Sequence, residues 1–95
     1  MFKINDEEWS VEAVAANNDF LKRSDGSYSI GACDATLRTI FVSSGLPMLL
    51  LKKVLCHEIT HAAMFSYNVE LTLEQEELVA DLIATYGSEI VRITN

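Results

Sequence analysis

The sequence predicts an α+β fold, a small antiparallel β-sheet followed by two helices. Three observations carry that expectation. Before Pro47, the only proline, apolar and polar residues alternate with the period of half-buried strands. After it, apolar residues recur at helical spacing. At Thr72 a capping-box pattern opens a second helical stretch.

Taken in order, Trp9, Val11 and Ala13 alternate with Ser10 and Glu12 and read as a strand. Trp9, Ala13, Ala16 and Phe20 would also share one side of a helix, so the assignment there is a choice between two periods. Asn17-Asn18-Asp19 and Ser24-Asp25-Gly26-Ser27 are turn-forming clusters. Tyr28 to Cys33 and Thr39 to Ser43 read as two strands joined tightly through Asp34-Ala35-Thr36 into a hairpin. Gly31, inside the first of these, marks a bulge or a close backbone approach. Pro47 suits a first helical turn, where its missing N–H costs nothing. Leu51, Val54, Leu55, Ile59, Ala62 and Ala63 then carry a helix to a stop near Asn68. Thr72-Leu73-Glu74-Gln75 starts the next, with Gln75 placed to reach back to the cap backbone. Leu78, Leu82, Ile83, Tyr86 and Ile90 continue it towards the C-terminus.

No repeat, low-complexity tract or linker divides the chain, and 95 residues make one domain, 1–95. A domain this small leaves no room for a separate substrate domain, so any active site must be shallow and open on one side. Formal net charge is -7, with seven Lys and Arg in all. Apart from Lys22-Arg23 and Lys52-Lys53 these are scattered, whereas a phosphate backbone needs a clustered basic face. Nucleic acid is therefore not an expected partner. The N-terminal MFKINDEEWS has no basic region followed by an apolar one and does not read as a secretory signal. The most hydrophobic run, Leu46 to Cys56, is broken by Lys52 and Lys53 and is too short to cross a bilayer. A cytoplasmic location with no membrane partner is expected. Cys33 and Cys56 could pair in principle, but ordinary burial in a reducing compartment accounts for both more simply.

The only histidines are His57 and His61, in the run His57-Glu58-Ile59-Thr60-His61. Four residues advance a helix by about 40° net, so both imidazoles leave one face. There they can meet one ion at roughly 2.0–2.1 Å, the zinc–imidazole distance. Glu58, about 100° around the helix, stands beside such an ion and is placed to move a proton between bound water and a leaving amine. A random chain of this length shows HExxH roughly a few times in a thousand. The plainer reading is two solvent-facing histidines and a surface glutamate. Leu55, Ile59, Ala62 and Ala63 argue against it, because they set this helix in the core, where unpaired imidazoles are costly.

Catalytic zinc takes three protein ligands and a water, so a carboxylate or a cysteine must join the histidines. Cys56 points about 100° away from His57 and is poorly placed. Glu74, Glu76, Glu77 and Asp81 are candidates on the second helix. Glu77 and Asp81 share a face at four-residue spacing, as a ligand and a carboxylate that orients a ligating histidine would. Plain helix-surface acidity is the alternative. Glu74 and Glu76 are expected towards the first turn, where acidic groups suit the helix dipole and solvent.

HEITH followed by ELVAD resembles the gluzincin branch of zinc metallopeptidases. It is similar in particular to the small ImmA/IrrE-type proteins of phages and mobile elements. The likeness covers about residues 28 to 86, with Thr39-Ile40-Phe41-Val42-Ser43 leading through Leu46-Pro47 into the HExxH helix. It implies His57, His61 and Glu77 as zinc ligands, Glu58 as general base and Asp81 as the partner of a ligating histidine. It also implies a sheet edge beside the metal that receives a protein substrate in extended form, and a repressor-like protein as that substrate. The sequence assigns no oxyanion stabiliser: Tyr67 and Tyr86 are candidates, and packing accounts for both better.

Two functions follow. One is a cytoplasmic zinc endopeptidase acting on a protein partner. The other is a non-catalytic binding module in which zinc staples two helices of a marginal core. Glu58 favours the first, since a purely structural site has no use for a base. A structural site would instead close its fourth position with Cys33 or Cys56.

Overall fold

In the computed structural model, which describes residues 1–95, the chain before Pro47 forms four strands. These are β1 (Phe2–Ile4), β2 (Glu7–Val14), β3 (Gly31–Asp34) and β4 (Thr39–Ser43), in spatial order β1-β2-β4-β3. Three helices follow: α1 (Met48–Ser66), α2 (Leu73–Leu82) and α3 (Ser88–Thr94). The α+β class is as the sequence indicates. The sheet is mixed rather than antiparallel, because β2 runs parallel to β4, with Val11 opposite Ile40 and Ala13 opposite Val42. A parallel pair needs a crossover, supplied here by residues 15–38. Alternation fixes which side chains face the core but carries no information on strand direction, so the sequence could not reveal this.

The two possible periods of residues 9–20 resolve in favour of the strand. Trp9 is buried on it and sends Nε1–H to Ser66 Oγ at 3.2 Å, tying the sheet to the end of α1. All five residues of β4 are buried, as befits an interior strand covered on both faces. Ile40 and Val42 pack with Trp9, Val54 and Ala62 against α1. On the other face Phe41 stacks on Phe20, with ring centroids 4.2 Å apart. Phe20 belongs to a short 3-10 turn, Asp19–Leu21, whose N-cap Asn18 accepts from the Phe20 amide.

β3 is shorter than the Tyr28–Cys33 expectation. Its ladder begins at Gly31, while Tyr28 forms only an isolated bridge with Lys22. The turn to β4 comprises residues 35–38, and Asp34 accepts from the Leu37 amide. Gly31 sits at no bulge, since its register with β4 is unbroken. What requires glycine is α1: a Cβ there would lie 2.5 Å from Val54 Cγ1 and 3.2 Å from Glu58 Oε2. The close approach is by helix side chains, not by another backbone.

Pro47 is the N-cap residue of α1 and its carbonyl accepts from the Leu51 amide. Asn68, with φ 53°, turns the chain after α1. Thr72 and Gln75 cap α2 reciprocally, each bond 3.1 Å. The second helical stretch is not one continuous α-helix: a π turn at Ile83–Gly87 separates α2 from α3. Leu78, Leu82, Tyr86 and Ile90, four residues apart, stay exposed along its outer side. No helix is long and apolar enough to cross a membrane.

Candidate metal centre

His57 and His61 leave α1 on the face that meets α2, and their Nε2 atoms lie 3.1 Å apart. Glu77 reaches them from α2, with Oε1 2.8 Å from His61 Nε2 and Oε2 3.4 Å from His57 Nε2. One donor atom from each of the three residues lies within 4.8 Å of the other two.

The far side of each ring is also occupied. His57 Nδ1 faces Asp81 Oδ1 at 2.9 Å, and His61 Nδ1 faces Glu76 Oε1 at 2.7 Å. A carboxylate opposite Nδ1 favours the tautomer with the proton there, which leaves Nε2 as a lone pair. Ionised Glu77 is an acceptor only. The centre then holds three acceptors aimed at one another with no donor between them, an arrangement that repels itself and is relieved by a cation. Two imidazole nitrogens and a carboxylate, with their outer atoms already held, suit zinc.

The sequence-predicted His57, His61, Glu77 and Asp81 are therefore brought together, and Glu74 stays on the exposed first turn. Glu76 departs from expectation. It does not face solvent but holds His61, for a topological reason. Only residues 67–72 join α1 to α2, and such a short connection makes the helices antiparallel. The earlier histidine then meets the later carboxylate, Asp81, and the later histidine meets the earlier one, Glu76. Two histidines needing two orienting partners on either side of Glu77 was the signal for it.

Glu58 is 9% exposed. Burial raises its carboxyl above the ordinary range; His57 and His61 oppose the rise and Glu77 adds to it. It lines a cleft of about 410 Å3 together with His57, His61 and Glu77, and Gly31 and Ala32 of the edge strand β3 form a wall of the same cleft. A carboxylate with a raised proton affinity, set beside three converging donor atoms, is better suited to accept a proton than an exposed one.

Neither cysteine joins the donor set. Both thiols are unpaired. Cys56 Sγ lies 3.8 Å from the Ile83 carbonyl. The Cys33 thiol is pushed up to about 12, by burial first and then by the charges of Glu58, Asp34 and Glu76, so without a metal beside it the thiol stays neutral. Three clefts border the histidines, and the exposed Tyr67 and Tyr86 line none of them. Arg23 lines two of them, a position that its place in a turn-rich segment gave no sign of.

No protein-family model, curated protein or solved structure matches the chain. The likeness to gluzincins rests on HEITH and ELVAD alone.

Proposed function

We propose that the protein is a zinc-dependent endopeptidase that hydrolyses a peptide bond of a protein partner in the cytoplasm. By the resemblance drawn from HEITH and ELVAD, that partner is a repressor-like protein. The observation that carries this reading is the convergence of His57 Nε2, His61 Nε2 and Glu77 on one point, with buried Glu58 on the wall of the same cleft. His57, His61 and Glu77 would hold the ion, while Asp81 and Glu76 fix the two rings. Zinc in such a site polarises a carbonyl and acidifies bound water. Glu58 takes the proton of the attacking water and delivers it to the leaving amine. β3 ends the sheet, and a strand edge offers N–H and C=O groups to a peptide in extended form.

One observation favours the rival reading, a zinc-stapled binding module. Ala80 is the only buried residue of α2, so the histidine–carboxylate contacts form much of its attachment to α1. A staple explains that, but not a buried Glu58 beside a set that lacks a cysteine. Cleavage of an unfolded protein such as a casein by the zinc-loaded chain separates the two. Wild type should cleave, and Glu58→Gln with the same zinc content should be slower by about 10² or more. Equal rates, or no cleavage by fully loaded wild type, would leave the staple.

A further inference from the structure

We infer that the cleft recognises acidic peptides, through Lys22, Arg23 and Lys53 placed around the histidine–carboxylate centre. The inference deepens the endopeptidase reading and names its substrate class.

The chain carries a net charge of -7 and only seven Lys and Arg. Lys22 and Arg23 line the cleft of about 410 Å3 on one side of the centre. Arg23 and Lys53 line a second, of about 350 Å3, on the other. Both clefts share His57, Glu58 and Glu77. Three scarce cations thus border the two clefts that share this centre, Lys22 and Arg23 from the segment between β2 and β3 and Lys53 from α1, one turn before His57.

None of the three forms an ion pair within the fold. Arg38 is the one Lys or Arg in an ion pair, with Glu7. Asp25, close to Arg23 in sequence, is bound by the Ser27 amide at 2.9 Å and the Ser27 hydroxyl at 2.6 Å, and Arg23 acts on it only as a nearby charge. The site itself holds four carboxylates, Glu58, Glu76, Glu77 and Asp81, more negative charge than one divalent ion cancels. An acidic peptide would be repelled from such a centre without cations at its rim, and a low-dielectric cleft focuses their field. Rim charges of this kind set partner choice more than overall affinity. Phe20 and Leu73 add apolar surface on the Lys22–Arg23 side, so the peptide that fits is acidic with interspersed apolar residues.

The test uses two fluorescently labelled decapeptides with the same apolar residues, one carrying four glutamates and the other four lysines. Binding to the zinc-loaded Glu58→Gln chain is read by anisotropy, and binding to zinc-loaded wild type in the cold serves as a control for that variant. At about 50 mM salt the glutamate peptide should bind about tenfold tighter, and the preference should shrink at about 0.5 M salt. Lys22, Arg23 and Lys53 are exposed, so neutral substitutions there should leave the fold and zinc content intact. Arg23→Gln should lower the preference about threefold, and Arg23→Gln with Lys53→Gln should abolish it. The net charge of -7 alone predicts the opposite sign, a preference for the lysine peptide. That result, equal binding, no binding of the glutamate peptide, or a preference untouched in the double variant each overturns the inference. Cleavage without acidic preference would sink this inference and leave the peptidase reading, whereas acidic preference without cleavage would do the reverse.

Discussion

Asp81 Oδ1 lies 2.9 Å from His57 Nδ1, on the side of the ring turned away from Glu77. Glu76 makes the matching contact to His61 at 2.7 Å. Each histidine is thus held at Nδ1 by a carboxylate of α2 and turns its Nε2 towards Glu77, and the orientation of both rings depends on the two outer contacts.

Removing the outer contacts should weaken the metal without removing a ligand. Asp81→Ala and Glu76→Ala should each lower zinc affinity by about 10- to 100-fold. Glu77→Ala should cost more, and Glu74→Ala nothing measurable. Competition titrations against a zinc chelator rank the four variants. An unaffected Glu76→Ala would mean that its contact with His61 does not shape the site.

Zinc should also hold α2 in place. His57→Ala and His61→Ala should each abolish the single zinc per chain. Thermal unfolding of wild type with and without a chelator should show a loss that grows with the free zinc removed, about 2.7 kcal/mol when zinc stands 100-fold above its Kd. Hydrogen exchange should find the gain in mobility concentrated in residues 73–82. A melting curve indifferent to zinc contradicts both the staple and the ligand set.

The Cys33 thiol should be inert. Its proton affinity is pushed up to about 12, so at pH 8 it is protonated and the thiolate that alkylating agents attack is scarce. Cys33→Ser should keep full zinc occupancy. Rapid alkylation of Cys33 at pH 8, or zinc loss in Cys33→Ser, would identify it as a ligand and close the fourth position.

Gly31→Ala tests the packing of β3 on α1. The added methyl meets Val54 at 2.5 Å and Glu58 at 3.2 Å. Stability should fall by about 1–3 kcal/mol, as overpacking does, and cleavage should fall as Glu58 is displaced, while Ala32→Gly nearby should cost only about 0.5–1 kcal/mol. Unchanged stability in Gly31→Ala would mean that the helix and strand are not in this contact.

Much of this was legible in the residues. The histidines could be placed because the four-residue period fixes relative direction on a helix, and capping at Thr72 set the frame of Glu77 and Asp81. The α1–α2 pair and the strand at Thr39–Ser43 follow from apolar spacing, whereas the interior position of that strand does not. The parallel β2–β4 pairing was not legible, since it depends on the path of residues 15–38 rather than on any local pattern. Glu76 was misplaced because a helix considered alone puts it beside the dipole and solvent; only the antiparallel neighbour turns its face into a site. The π turn at Ile83–Gly87 left no mark in a stretch whose apolar residues keep a spacing of three to four.

A crystal structure of the zinc-loaded chain tests the central claim most directly. The account predicts zinc bound by His57 Nε2, His61 Nε2 and Glu77, with a water in the fourth position within hydrogen-bonding distance of the Glu58 carboxylate. Zinc whose fourth position is filled by Cys33 or another side chain of the protein, or which lies away from the two histidines, would contradict it.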